Sequence, residues 1–244
     1  MTETPEFDHL LHCVPDVDKA VDAYRDAGLP AHANRPFDGF HNGAWRLDER
    51  YIEILTIVDH QRYARSAFGE ATTAWLPEID RLIAEGGGAM NFAVNVADVD
   101  ATARRLRGQG HGVEVTDFRL DGSPVGFREA ILTDAPPWAP FFITYDPPRT
   151  ELVQSFAADR VNRGTHDLRG FVIATPNPVE AAIWLGEVIG LPCRDDASIV
   201  PLPGASVQFV PGAADHITAL LLADGNPPTT TVAGLELRPA PTNR

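Results

Sequence analysis

Short apolar stretches of about eight residues, typical of β-strands, alternate along the chain with longer stretches that carry apolar residues at helical spacing. The first apolar stretch covers residues 7–14 and leads into residues 16–28, which have the pattern of a helix. Asp16 is placed to cap that helix and Gly28 to end it. Three extended pieces follow, at residues 31–37, 43–48 and 51–58. The pattern predicts a β-α-β-β-β module.

The same order of elements returns about 80 residues later, after a helical stretch over residues 60–84 that Pro77 interrupts. A strand at residues 89–96 precedes a helix that ends near Arg107. Further extended pieces lie at residues 111–120, 125–133 and 141–145, with the hairpin signal Asp121-Gly122 between the first two. Residues 1–147 are therefore predicted to form one domain of two modules.

A third copy of the opening pattern begins at Gly170, which aligns with His9 without gaps. Its helix is predicted at residues 179–189, and extended pieces follow at residues 206–210, 217–223 and 230–237. Residues 148–167 are a polar linker with a helical stretch at residues 151–159. We predict an α+β fold whose third, degenerate βαβββ-like unit spans residues 168–244. This unit is expected to extend or cover a sheet, or to contribute to a homodimer contact, and to add no metal site.

Charge and composition limit the kinds of binding partner and the cellular location expected for the protein. The formal net charge is −14, whereas nucleic acids and anionic membranes bind clustered basic residues. We find no signal-peptide pattern and no apolar run long enough for a bilayer, so a cytoplasmic location is expected. Cys13 and Cys193 are expected to be reduced core residues. No glycine-rich phosphate loop is recognisable, so no nucleotide cofactor is expected.

Two ionisable residues interrupt apolar strands. His9 lies in the first strand and Glu53 in the last strand of the first module. Because side chains alternate across a strand, His9 is predicted to share a face with Leu11 and Cys13, opposite Asp8. One His and one Glu are ligand types for Zn, Mn, Ni or Fe, so the pair is a candidate divalent-metal site. The alternatives are a hydrogen-bonded sheet histidine and a solvent-facing carboxylate.

Several short motifs occur in an order and spacing that resemble the glyoxalase-like domain family of the vicinal oxygen chelate superfamily. They are Asp8-His9, the segment from Gly39 to Gly43, Tyr51-Ile52-Glu53-Ile54, Asp121-Gly122, Phe127-Arg128 and the segment from Pro140 to Ile143. The resemblance implies that the two modules form a cupped half-barrel of the glyoxalase and bleomycin-resistance type. It also implies metal ligands on the first and last strands of both modules, which match His9, Glu53, Asn91 and Thr144.

Five further residues are candidates for substrate binding. His41 and Asn42 are expected in a loop over the mouth of the cup, and Asn91 and Thr144 at the second-module ligand positions. Arg128 would counter Glu53 or hold a substrate carboxylate or enolate if it points into the cup. Its alternative is a surface ion pair with Glu129 or Asp134.

The resemblance leaves two functions open, both with a small-molecule ligand. The first is an enzyme of the lyase, isomerase or dioxygenase type that acts on a small oxygenated molecule through an enolate-like anion. A divalent metal at His9 and Glu53 would stabilise that anion, or these two residues would transfer a proton without metal. The second is a metal-free protein of the bleomycin-resistance type that sequesters a hydrophobic molecule in the same cup.

Overall fold

A computed structural model of the protein describes residues 4–119, 125–157, 159–191 and 198–241. Within these ranges, fourteen strands belong to one open mixed sheet with helices packed on it. The predicted α+β fold is therefore confirmed. No helix in the described part of the chain is long and apolar enough to cross a membrane.

The first module contains four strands and one long helix. Its elements are β1 (Glu6–Cys13), α1 (Val17–Asp26), β2 (His32–Ala33), β3 (Phe40–Arg46) and β4 (Tyr51–Ile57). Asp16 caps α1 as predicted, because its carboxylate accepts the backbone N–H of Lys19. β2 is shorter than predicted and β3 starts earlier. The cause is a two-residue turn at Asp38-Gly39, where both residues have positive φ and join Phe37 to Phe40.

Short helices connect the two modules and lie over the cup. They are α2 (His60–Tyr63), α3 (Ala67–Ala71), a 3₁₀ turn (Thr73–Trp75) and α4 (Leu76–Ala84). The second module follows with β5 (Gly88–Asn95), α5 (Val99–Gly108), β6 (Val113–Arg119), β7 (Gly126–Leu132) and β8 (Phe141–Asp146). The predicted hairpin turn Asp121-Gly122 lies outside the described residues.

The two modules are joined edge to edge through their first strands. β1 pairs in parallel with β4 and β5 with β8, while β1 and β5 run antiparallel to each other. The register of this central pair shifts between Phe7 and His9, which places an extra residue, Asp8, in β1. A second shift between Leu10 and His12 places an extra residue in β5 near Asn91. These bulges change which side chains reach the cup.

The rest of the chain extends the same sheet. Its elements are α6 (Arg149–Gln154), β9 (Asp167–Thr175), α7 (Pro178–Ile189), β10 (Ile199–Val200), β11 (Ser206–Pro211), β12 (His216–Ala223), β13 (Thr230–Val232) and β14 (Leu235–Pro239). β9 pairs in parallel with β11 and β12 with β14, while β9 and β12 run antiparallel. This pairing repeats the arrangement of the first two modules, so the region predicted as one unit contains two incomplete ones. Cys13 is buried, and Cys193 lies outside the described residues.

The two halves of the molecule share one core and are joined by one half-buried arginine. The ring of Phe171 packs against those of Phe7 and Phe92, at centroid distances of 5.8 and 4.8 Å. Arg50 donates hydrogen bonds to the carbonyl oxygens of Leu168 and Gly204 and to the Asp167 carboxylate, at 3.1, 2.6 and 2.9 Å. Arg50 therefore ties the β3–β4 turn to the second half.

Replacing Arg50 with Met should lower the free energy of unfolding by roughly 2 to 4 kcal/mol, because Asp167 loses its charged partner. Chemical denaturation of the variant beside wild type measures this difference. Arg104→Met is the control, since Arg104 is exposed on α5 and its loss should cost less than about 0.5 kcal/mol. Equal, small effects of both changes would contradict the role given to Arg50.

Candidate functional site

A cavity of about 270 Å³ lies between the inner faces of the two modules and beneath the connecting helices. Most of its wall is aliphatic or aromatic, and its polar groups are few. The lining residues are His9, Leu11, Phe37, Phe40, Asn42, Tyr51, Glu53, Leu55, Ile57, Tyr63, Phe68, Thr72, Trp75, Ile79, Phe127, Glu129, Phe141, Ile143 and Tyr145. An apolar pocket with a few converging polar groups is the usual form of a small-molecule site.

His9 and Glu53 meet in this cavity. They lie on adjacent parallel strands, and the His9 Nε2 atom is 3.8 Å from the Glu53 Oε2 atom. The His9 ring is buried and stacks on the ring of Tyr51 with a centroid distance of 4.5 Å. The structure thus brings together the two residues that the sequence placed at strand centres.

Asp8 orients His9, a contact that sequence reasoning missed. Strict alternation predicts that Asp8 faces away from His9, but the bulge in β1 turns its carboxylate to the His9 Nδ1 atom at 2.7 Å. The same carboxylate accepts hydrogen bonds from Tyr145 Oη at 2.8 Å and from Arg149 at 3.3 Å. With Nδ1–H donated to Asp8, the Nε2 atom is the nitrogen that faces Glu53 and the cavity.

Glu53 is held by an amide. The Asn42 Nδ2 atom donates to Glu53 Oε1 at 2.7 Å, so Asn42 contributes to the cavity from strand β3 and not from the predicted loop. His41, the next residue on the strand, points to the other face and donates from its Nε2 atom to the Asn34 carbonyl oxygen at 2.9 Å. The structure therefore places Asn42 in the cavity and His41 outside it.

Glu129 is the second carboxylate of the cavity. It lies on β7 and is 7% exposed. Burial, together with the negative charges of Glu53 and Asp8, raises the pKa of Glu129 to about 8. Near neutral pH this side chain is a neutral acid that can donate a hydrogen bond. The sequence analysis selected the neighbouring residue, Arg128, instead of Glu129. Neighbouring residues on a strand point to opposite faces, so an error of one residue decides which of the two side chains enters the cavity.

Arg128 and Thr144 lie on the side of the sheet that faces helix α5. Arg128 forms a two-pronged ion pair with Asp100 of that helix. Thr144 is its neighbour on β8 and donates from Oγ1 to the Val96 carbonyl oxygen at 2.8 Å. Neither residue reaches the cavity, so the contact expected between Arg128 and Glu53 is not made.

The positions of the second module that the structure describes do not supply the ligands that a four-donor metal centre would need. The backbone N–H of Val14 bonds the Leu55 carbonyl oxygen in the first module, and that of Val96 bonds the Ile143 carbonyl oxygen in the second. Leu55 and Ile143 therefore occupy the same position in the two modules. Two residues earlier, Glu53 corresponds to Phe141 and not to Thr144. Asn91, which matches His9, lines a neighbouring cavity behind Trp75, and its amide oxygen has no hydrogen-bond partner.

The donor set therefore does not fit a metal centre of that kind. Across the described residues, no three His, Cys, Asp or Glu side chains converge so as to hold a metal ion. His9 and Glu53 offer two donors, and the remaining positions would fall to water or to a ligand.

Comparison with known proteins agrees with this architecture. A family model described as a glyoxalase-like domain matches residues 7–189. A hypothetical protein from Staphylococcus aureus has a similar structure, with a TM-score of 0.71 and 16% identity, covering 96% of this chain and 99% of that one. A mutant 4-hydroxymandelate synthase from Streptomyces coelicolor gives a TM-score of 0.54 and 10% identity, covering 91% of this chain and 71% of that one.

A search of curated proteins gave no match. Identities this low mean that the two solved structures establish the fold and not the activity. The family match covers most of the chain, and it includes the strands that carry His9, Glu53 and Glu129. The chain therefore belongs to the glyoxalase-like domain family.

Proposed function

We propose that the protein is an enzyme that moves a proton at a carbon next to a carbonyl group in a small, largely apolar molecule. The observation that carries this proposal is the pair of carboxyl groups, Glu53 and Glu129, in one aromatic-lined cavity. Their surroundings differ, because Asn42 donates to Glu53 whereas burial keeps Glu129 protonated near neutral pH. One carboxyl group placed to accept a proton and a second that carries one are what general acid–base catalysis requires.

Glu53 acts as the base in this scheme. Its carboxylate takes the proton from the substrate carbon, and the electron pair of the broken C–H bond moves to the carbonyl oxygen. Glu129 donates a hydrogen bond to that oxygen as negative charge develops on it. Return of the proton to the other face of the carbon gives an isomerase, and loss of a leaving group from the enolate gives a lyase.

His9 and Asp8 support the base. His9 Nε2 lies 3.8 Å from Glu53, close enough to receive the proton after a small side-chain movement, and Asp8 fixes the ring through Nδ1. Burial raises the pKa of both Tyr51 and Tyr145, so the two phenols stay neutral beside the pair. The proton therefore has a defined route that ends on a buried, hydrogen-bonded imidazole.

A metal-free binding protein is the second candidate, and one observation favours it. Aromatic rings gather at one end of the cup, where Phe68 stacks on Phe118 at 4.9 Å and lies 5.8 Å from Phe127. Such a surface holds a flat apolar ligand without any chemistry. In that case replacing the carboxylates would leave function intact, which separates the two candidates.

Glu53→Gln should reduce proton exchange by roughly 10²- to 10⁴-fold, because the amide keeps the shape of the side chain but cannot act as a base. The measurement is loss of the α-proton NMR signals of propiophenone and a panel of other small ketones in D₂O. Glu85→Gln, an exposed change directly after helix α4, is the control. Lack of exchange by the wild type across the panel, or equal exchange by both variants, would contradict the proposal.

Glu129→Gln should change how stability depends on pH. The folded-state pKa of Glu129 is about 8 against 4.5 for the free side chain, so its protonation stabilises the fold below pH 4.5 and that contribution is lost as pH rises to about 8. The loss amounts to roughly 4 to 5 kcal/mol, and the variant should escape it.

Denaturation curves at pH 5 and pH 9 measure this effect. The variant should gain stability relative to wild type as pH rises, and exchange by wild type should fall above about pH 8 as the acid ionises. A constant difference between the two proteins from pH 5 to pH 9 would show that Glu129 is not a buried acid.

Addition of Zn²⁺, Mn²⁺, Ni²⁺ or Fe²⁺ should leave the thermal midpoint of the metal-free protein unchanged, because His9 and Glu53 supply only two donors. The midpoint is measured with each ion in excess, for wild type and for Glu53→Gln. A rise that occurs in wild type and disappears in the variant would instead establish a metal site at this pair.

A further inference from the structure

A second pocket opens beside the cup and shares three of its lining residues, Asn42, Tyr51 and Glu53. Its other walls come from β2, β3 and the linker segment, and they differ in character from the aromatic cup. They include His32, Asn34, Arg46, Phe156 and Arg160. Glu53 therefore lies at the boundary between an apolar cavity and a pocket that carries two arginines.

Arg46 is fixed in place by aromatic rings and not by a carboxylate. Its guanidinium carbon lies 3.8 Å from the centre of the Tyr51 ring and 4.9 Å from that of Phe156. Tyr51 in turn stacks on His9, so the arginine and the candidate catalytic histidine lie on opposite faces of one ring. Within the described residues Arg46 forms no ion pair, and its donors remain for a ligand.

Arg160 reaches Glu53 through two amides. It donates to Asn34 Oδ1 at 3.1 Å, Asn34 Nδ2 donates to Asn42 Oδ1 at 3.0 Å, and Asn42 donates to Glu53 at 2.7 Å. Like Arg46, Arg160 has no ion-pair partner among the residues that the structure describes. The chain of bonds holds the positive pocket at a fixed position relative to the base.

The pocket is electropositive although the protein as a whole is acidic. The His32 Nδ1 atom is buried and has no hydrogen-bond partner among the described residues. Burial, with the positive charges of Arg160, Arg46 and Arg25, lowers the pKa of His32 to about 4, against the opposing charge of Asp159. Partly buried arginines without carboxylate partners are the usual recognition element for carboxylate and phosphate groups.

We propose that Arg46 and Arg160 form an anion-binding subsite, so that the substrate carries a carboxylate or phosphate beside an apolar, carbonyl-bearing body. This inference rests on the proposed function, and it names the class of molecule on which Glu53 acts. The apolar part lies in the cup, the anion lies against the two arginines, and the reacting carbon lies between them at Glu53. An anion held there would also orient the reacting carbon toward the base.

The test uses matched pairs of charged and neutral probes. Benzoylpropionate is compared with benzoylpropionamide for the carboxylate, and phenacyl phosphate with phenacyl alcohol for the phosphate. Calorimetric titration of the wild type should show at least one anion binding about tenfold or more tightly than its neutral partner. The pair with the larger ratio assigns the anion as a carboxylate or as a phosphate.

Variants then locate the subsite. Arg46→Gln and Arg160→Gln should each weaken the preferred anion about tenfold and leave its neutral partner unchanged, while Arg46→Lys should retain part of the affinity. Arg104→Gln removes the same charge on α5 and should behave as wild type. No preference for either anion, or equal weakening of charged and neutral probes, would overturn the inference.

Glu53→Gln separates this inference from the proposed function. The variant should bind the preferred anion at least as tightly as wild type, because a negative charge beside the subsite is removed, yet it should lose proton exchange. Anion binding without exchange in the wild type would reject the enzyme and keep the subsite. Exchange on neutral ketones without anion preference would do the reverse.

Discussion

The antiparallel pairing of β1 with β5 is the contact on which the cup depends, because it joins the two modules and carries His9 at its centre. A regular pairing would place Asp8 among the helices and His9 alone in the cavity. The bulge between Phe7 and His9 puts both side chains on the cavity side, where the carboxylate fixes the imidazole. One extra residue in the central strand thus creates the buried pair on which the chemistry depends.

Acidic groups in an apolar cavity are costly, and the structure offsets that cost unevenly. Asp8 is 1% exposed in its side chain and is compensated by Arg149, Tyr145 and His9. Glu53 receives the Asn42 amide and keeps 18% of its side chain exposed. Among the residues that the structure describes, Glu129 has no such partner, and protonation lowers its burial cost. The two carboxyl groups of the cavity therefore differ in their hydrogen-bond partners and in their exposure.

Hydrophobic periodicity predicted most of the fold, and the motifs predicted the family. It located the strands of both modules to within a few residues, because each strand has one face in a core whose pattern is visible in sequence. The division of the last region into two incomplete units was not visible, because β12 and β14 are joined without a helix.

The candidate site was predicted less well than the fold, because the register between paired strands decides which side chains enter the cavity. Bulges are not visible in an alternating pattern, so the contact between Asp8 and His9 was missed. The register of β7 with its neighbouring strands decides whether Arg128 or Glu129 points into the cavity. Asp100 on α5 forms an ion pair with Arg128 on the outer face of the sheet. The correspondence between Glu53 and Phe141 is set by backbone hydrogen bonds, and the identities of the residues do not reveal these bonds.

The central claim is that Glu129 is a protonated acid in a cavity it shares with Glu53. Carbon NMR of protein labelled at the glutamate carboxyl carbons, followed across pH, measures it directly. One carboxyl resonance should titrate near pH 8 and disappear in Glu129→Gln. A spectrum in which every glutamate titrates near the ordinary value of about 4.3 would contradict it.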